Sequence, residues 1–499
     1  MASSLIWRIV LVSLLASGHA AASQCPEGCK CIEMRTMCVD RNFTSVPTEL
    51  PLDTRDLYMK GHHIRVLRIG AFSRLEFLQS LTLTQCGIES IEPNAFRGMH
   101  YVTMLDLQQN RLTRIQPYTF MGLFALSELL LNKNHIRVVD DFAFNGADLQ
   151  TLSIEQNPEL KNISSKAFDG AKVSRLYLYN SSLSDDSLLA LRSLQGSLDE
   201  LILRGNRRPL TLSPDLFRGF TFDHLNLNDN GISDVAFLQH VSADDLALEG
   251  NPVGAIDFSR LPNLKKVRSL RLGSTDFLNL NGSFFDGLAR LNQMHVTNNS
   301  ISTLPESLAP VFSRLKSLFL SGNTLHCNCE LRWFRAWLTQ HADTVLGDIR
   351  CKTPFDVDMK SSAIFGKNMT CAPPRNLSVS HAFTEDGSLA LRCSAHGDPA
   401  PTVSWFADDG RLLGESPVSA DRTRRVTVGV LLMTSRTGLK PGVASYTCVA
   451  TNMRGNATAE LSLDAYSLLS DKSNCAFVSP LSLFTYLAAF SLLGTLGSV

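Results

Sequence analysis

The chain has no excess of charge of either sign: lysine plus arginine and aspartate plus glutamate number 47 each in 499 residues. Nothing in its overall charge therefore points to nucleic acid or an acidic lipid surface as partner. It also lacks the motifs by which most catalysis is recognised. There is no serine or cysteine nucleophile motif, no phosphate-cradling glycine loop and no zinc-spaced histidine pair. An enzyme would need a cleft assembled from distant segments, and we expect neither enzyme activity nor a cofactor nor a metal.

What the chain does have is a beat. Leu-x-Leu-type pairs open on Leu57, Leu81, Leu105, Leu129, Leu152, Leu176, Leu201, Leu225, Leu246, Leu270, Met294 and Leu318, a spacing of 24 residues with slips of one at Leu152 and Leu201 and a short unit before Leu246. Phe72, Phe96, Phe120, Phe144 and Phe168 keep the same period. Fixed-period self-similarity means stacked units that cannot bury their apolar faces alone. Alternation within each pair predicts a short strand, and stacked copies predict a parallel sheet. The position five residues after each pair opens holds Asn110, Asn134, Asn157, Asn206, Asn230, Asn251, Asn299 and Asn323, replaced by His62, Cys86, Ser181 and Thr275 in the other units. An amide there can satisfy backbone donors and acceptors where the chain turns away from the sheet. Cys86 is accordingly read as a buried structural thiol rather than a nucleophile. The run Asn226 to Gly231 imitates the start of a calcium loop, but Phe237 stands where the bidentate glutamate belongs, and Asn230 is a ladder residue.

Residues 1–22 carry Arg8, an apolar stretch from Ile9 to Ala16 and a small-residue close at Ala20-Ala21-Ala22, the pattern of a secretory signal. Secretion places the cysteines in an oxidising compartment. Four of them (Cys25, Cys29, Cys31, Cys38) precede the first unit, and four (Cys327, Cys329, Cys351, Cys371) follow the last. Spacing alone admits zinc at either tetrad, whereas secretion and the flanking position favour disulfides, with three connectivities open for each.

The pattern Leu-x-x-Leu-x-Leu-x-x-Asn-x-Leu, complete in Val102, Leu105, Leu107, Asn110 and Leu112, resembles the extracellular leucine-rich repeat family. Cys25-x3-Cys29-x-Cys31-x6-Cys38 is similar to that family's N-terminal cap, and the segment from Asn323 through Cys327, Cys329, Trp333 and Trp337 to its C-terminal cap. The resemblance implies an α/β horseshoe solenoid with a parallel sheet, and the pairs Cys25–Cys31, Cys29–Cys38, Cys327–Cys351 and Cys329–Cys371. Beyond Ala372 the period disappears. Cys393, Trp405 twelve residues on, and Tyr446-Thr-Cys448 resemble an intermediate-type immunoglobulin sandwich with a Cys393–Cys448 bridge, departing from the usual pattern at Gly442 and Ala444.

The expected organisation is a signal peptide (1–22), an N-terminal cap (23–51), twelve repeats (52–325), a C-terminal cap (326–372), an immunoglobulin-like domain (373–466) and a short stalk (467–475). The last segment, 476–499, holds no charged residue and is followed by no lysine or arginine. With small residues ahead of it, it reads as a lipid-attachment signal cleaved after Ser473 or Asn474, the alternative being a tailless membrane span; the lipid reading would also discard Cys475.

On the concave face the resemblance implies, units four to seven present Leu130, Ser153, Tyr177 and Ile202 inside the pairs and Asn132, Glu155, Tyr179 and Arg204 after them. Tyr177, Tyr179, Ile202 and Arg204 form a candidate partner-binding group, since aromatic residues and arginine dominate interface energetics. Aromatics also stand on sheets that bind nothing. Tyr58 and Phe319 are weaker candidates. Sequons at Asn42, Asn162, Asn180, Asn281, Asn298, Asn368, Asn376 and Asn456 mark glycosylation sites, and glycans at Asn180 and Asn298 would crowd that face. Repeats followed by one immunoglobulin domain resemble the LINGO-, AMIGO- and Kekkon-like surface proteins. This implies a cell-surface recognition or adhesion protein that binds an extracellular or membrane protein or a second copy of itself, and that signals, if at all, through a co-receptor. Innate immune recognition of microbial ligands and a secreted matrix role are the alternatives.

Overall fold

The computed structural model describes residues 25–353, 357–360, 372–384, 388–398, 400–416, 426–433, 443–452 and 454–464, except position 328. The signal segment, the stalk, the segment 476–499, Asn368, Cys371, Cys475 and the attachment residues Ser473 and Asn474 lie outside the described residues. The chain divides into two compact units, each considered by itself.

The first is built on one 15-stranded sheet. The strands of all twelve repeats run parallel and in register, Leu57 beside Leu81, Leu81 beside Leu105, and so on to Met294 beside Leu318. A one-residue slip would turn every apolar side chain to the other face, so register is held wherever one face is buried. The irregular spacings fall outside the strands. The longest unit absorbs its extra residue around a 3-10 helix, Asp185–Leu194, and the short unit carries a 3-10 turn, Ala236–His240. Elsewhere the chain behind the sheet runs mainly as turns and short 3-10 segments, with two-residue strands at Arg114–Ile115, Val138–Val139 and Asn162–Ile163 pairing in parallel.

Behind the sheet, Phe72, Phe96, Phe120, Phe144 and Phe168 form a buried file, with neighbouring ring centroids 5.3 to 6.2 Å apart and planes within 15°. Each ring fills the gap between its own unit and the next, so no unit's core is complete alone. All twelve ladder residues are buried. Asn110 shows the mechanism: its side-chain oxygen accepts from the N–H groups of Cys86 (2.9 Å) and Ile88 (3.2 Å), and its amide donates to the carbonyls of Leu83 (2.6 Å) and Leu107 (2.9 Å). One side chain thus satisfies backbone groups in two units. Thr275 and Ser181 donate to the carbonyl three residues back, at 2.7 and 3.1 Å, and at longer range to the side-chain oxygens of Asn299 (3.3 Å) and Asn206 (3.5 Å) in the next units. His62 instead reaches the Cys38 carbonyl at 3.0 Å, tying the first repeat to the cap.

Open sheet ends must be covered. At the N-terminal end the antiparallel pair Cys29–Ile32 and Arg35–Val39 is joined by disulfides Cys25–Cys31 and Cys29–Cys38, and Arg35–Val39 pairs in parallel with the first repeat. At the other end Val345–Leu346 pairs with the last repeat strand. The helix Arg332–Gln340 sets Phe334 and Trp337 against Phe312, while the Trp333 indole N–H donates to the Leu304 carbonyl at 2.7 Å. Cys327 and Cys351 are both disulfide-bonded.

The second unit is antiparallel throughout its described strands. Ala372–Phe383, Leu389–Asp398 and Val426–Met433 make one sheet; Leu412–Ser416, Thr402–Ala407, Val443–Asn452 and Gly455–Asp464 make the other. The Cys393–Cys448 disulfide lies in a core with Trp405, Tyr446, Leu391, Val403 and Leu463. Burial pushes the Tyr446 phenol's pKa up, with Asp408 adding to the effect.

Candidate functional site: the outer face of the long sheet

Register places the candidate group side by side: Leu130 beside Ser153, Ser153 beside Tyr177, and Tyr177 beside Ile202. Adjacent strands lie about 4.8 Å apart, so Tyr177 and Ile202, with Tyr179 and Arg204 two residues beyond them, form a strip. Tyr177, Tyr179 and Ile202 are half-buried, and Arg204 is exposed. The Arg204 guanidinium carbon lies 5.7 Å from the centre of the Tyr179 ring, a cation–π contact that holds both side chains in place. Burial, then a hydrogen bond with Glu155, raises the Tyr179 pKa against the pull of Arg204. Burial and then Glu200 raise that of Tyr177, with Arg175 opposing. Both phenols therefore stay protonated across the physiological range. The strip offers an aliphatic side chain, two ring faces and a guanidinium with five donors, suited to an apolar anchor flanked by a carboxylate or carbonyl.

Not every residue of the face is open. Ser153 and Asn132 are buried beneath their neighbours, and the Ser153 hydroxyl and the Asn132 side-chain oxygen find no hydrogen-bond partner among the described residues. Small residues between larger ones are covered, which strand alternation alone does not reveal. Farther along, the face gathers charged and aromatic groups that single-unit reading missed. Asp245 lies 3.3 Å from His224 and 3.6 Å from Arg271, and the His295 ring stacks on Phe319 at 3.9 Å. Burial lowers the His295 pKa, and Arg271 lowers it further against the pull of Asp245. Comparing equivalent positions across consecutive units would have found this cluster. Tyr58 sits on the first repeat strand between Met37 and Thr82.

The described sequon asparagines, Asn42, Asn162, Asn180, Asn281, Asn298, Asn376 and Asn456, are all exposed. Asn180 and Asn298 have left-handed backbones, φ 54° and 52°, at the turn where the chain leaves the sheet. Each lies against a glycine of the next unit, Gly205 and Gly322, where a Cβ would collide with the asparagine side chain. They border the face rather than stand on it. Among the described residues no cluster of histidine, cysteine, aspartate or glutamate could hold a metal ion, and no helix is long and apolar enough to cross a membrane.

Profiles described as "Leucine rich repeat" match residues 55–112, 76–136 and 124–183, and one described as "Immunoglobulin domain" matches 379–461. The chain thus carries leucine-rich repeats and an immunoglobulin domain. It is similar to leucine-rich repeat and fibronectin type III domain-containing protein 1 of Homo sapiens, 33% identical over 45% of this chain and 29% of that protein. Protein 4 of the same series from Mus musculus is 30% identical over 46% of this chain and 36% of that protein. The chain thus spans about a third of the length of these curated relatives. Among solved structures, a chain of an octameric complex of Latrophilin 3, Unc5D and FLRT2 superposes with a TM-score of 0.46 at 19% identity, covering 69% of this chain and all of that one. A TLR13–single-stranded RNA complex gives 0.34 at 19% identity, over 60% of this chain and 55% of that one.

Proposed function

We propose that this protein is a non-enzymatic recognition and adhesion molecule of the cell surface, which binds another extracellular protein through the outer face of its long sheet. The observation that carries this reading is the strip Tyr177, Tyr179, Ile202 and Arg204, preorganised by register and by the Arg204–Tyr179 contact. Side chains already held in place lose little entropy on binding, which is where a flat protein-binding surface gains its affinity. The immunoglobulin unit adds a second surface without adding chemistry. The uncharged segment 476–499 is read as the means of attachment, with a lipid joined at Ser473 or Asn474. Any signalling then runs through a co-receptor.

Proximity labelling on expressing cells, with the wild-type chain and the Tyr177→Ala/Tyr179→Ala/Arg204→Ala variant at equal surface density, tests the reading. The expected result is a set of surface proteins labelled by the wild type and lost with the variant. Identical labelling by both chains rejects the sheet face as the binding surface.

A further inference from the structure

The four sequons within the repeats are not scattered. Asn180 and Asn298 stand four residues after Leu176 and Met294, Asn162 ten after Leu152, and Asn281 eleven after Leu270. Every one lies on the run that leaves a strand, at the outgoing turn (Asn180, Asn298), on a short strand behind the sheet (Asn162) or capping a 3-10 turn (Asn281). The opposite edge, where the chain comes into each strand, carries none. Glycans would therefore crowd the outgoing edge and the back, and leave the incoming edge bare along the whole solenoid.

That bare edge has two chemically distinct stretches. In units two to four it exposes Phe77 (57%), Tyr101 (58%) and Phe124 (73%), each four or five residues ahead of its unit's first leucine. His100 stacks on Phe124 at 5.7 Å with planes 8° apart, so the patch is ordered. Aromatic rings this open, in a row and free of sequons, mark an interaction surface rather than scattered surface apolarity. In units seven and eight the same edge holds Asp199, Glu200 and Asp223, which with Arg175 and His224 line a recess of about 350 Å³. Among the described residues no lysine or arginine forms an ion pair with Asp199, Glu200 or Asp223, unlike Asp244, which lies 3.6 Å from Arg268. Such a recess repels phosphate or sulfate polymers and attracts a cation.

We propose that this incoming edge docks a protein that lays an apolar anchor against Phe77, Tyr101 and Phe124 and sends a lysine or arginine into the Asp199–Asp223 recess. Three to six strand spacings separate members of the two stretches, so the partner's two contact groups lie about 14–29 Å apart. The recess borders the Tyr177–Arg204 strip through Glu200 and Arg175, whereas Phe77, Tyr101 and Phe124 stand on other units, so the edge can act with the strip or without it.

The test uses the full chain displayed on cells and, as probe, a panel of soluble ectodomains of cell-surface receptors. Four chains are compared: wild type, Phe77→Ser/Tyr101→Ser/Phe124→Ser, Asp199→Asn/Asp223→Asn, and the sheet-face triple alanine variant. All substitutions are at the surface, and equal display and melting behaviour confirm folding. The expected result is an ectodomain whose affinity falls about tenfold or more with each edge variant, and weakens as salt rises from about 50 to about 500 mM. An ectodomain that tolerates both edge variants overturns the proposal, as does a panel in which nothing binds. Loss with the sheet-face variant alone supports the sheet face and overturns the edge; loss with the edge variants alone does the reverse.

Discussion

Cys86 shows how much one position can explain. It fills a ladder slot that most units give to asparagine, and its thiol can offer only long contacts, 3.4 Å to the Thr84 carbonyl and 3.5 Å to that of Met59. The work of bridging units passes to Asn110, which holds the Cys86 N–H from the next unit. Burial pushes the Cys86 pKa up to about 11 from an ordinary 9.0. The thiolate is the reactive form, so below that value the folded protein presents a neutral, covered thiol. Iodoacetamide is expected to leave Cys86 unmodified in the native protein between about pH 7 and pH 9, and to modify it once denaturant is added. Mass spectrometry of the Cys86 peptide reads the result; rapid native labelling would show an open thiol and refute the ladder assignment.

Within a single repeat, stability comes from what each unit lends its neighbours. Asn251 accepts from the N–H groups of Asn230 and Ile232, both at 3.0 Å, and donates to the carbonyls of Leu227 and Leu248 at 2.8 and 2.9 Å. Replacing it with alanine leaves these buried backbone groups unpaired, at a cost of about 2–4 kcal/mol. Asn251→Ala is therefore expected to lower the denaturation midpoint and the secreted yield. An unchanged midpoint would mean that the backbone there needs no side-chain partner. Strand positions and the ladder were legible in the sequence because the leucine alternation and the asparagine write them directly, and because irregular spacings fall in connections rather than strands; the caps were legible only through the resemblance their cysteine segments carry. The Asp245–Arg271–His295 cluster was not legible within any one unit, since its members come from units about 24 residues apart and meet only through register. Nor was the burial of Ser153 and Asn132, which depends on the size of neighbours across strands rather than on alternation.

At the scale of the whole chain, the repeats lay out three faces with different chemistry: an ordered sheet face, an outgoing side bearing the sequons and a sequon-free incoming edge. On the proposed function, that arrangement serves to hold a partner. Its attachment to the cell is separately testable. Phosphatidylinositol-specific phospholipase is expected to release the protein from membranes of expressing cells, and retention would refute a lipid joined at Ser473 or Asn474.

The central claim is that Tyr177, Tyr179 and Arg204 bind an extracellular protein. The most direct measurement is the affinity of a partner ectodomain, identified by labelling, for the wild-type chain and for the triple alanine variant at equal display. We predict a loss of about a hundredfold or more, as for the removal of a hot-spot cluster, with secretion and melting unchanged. Equal affinity for the two chains would contradict the account.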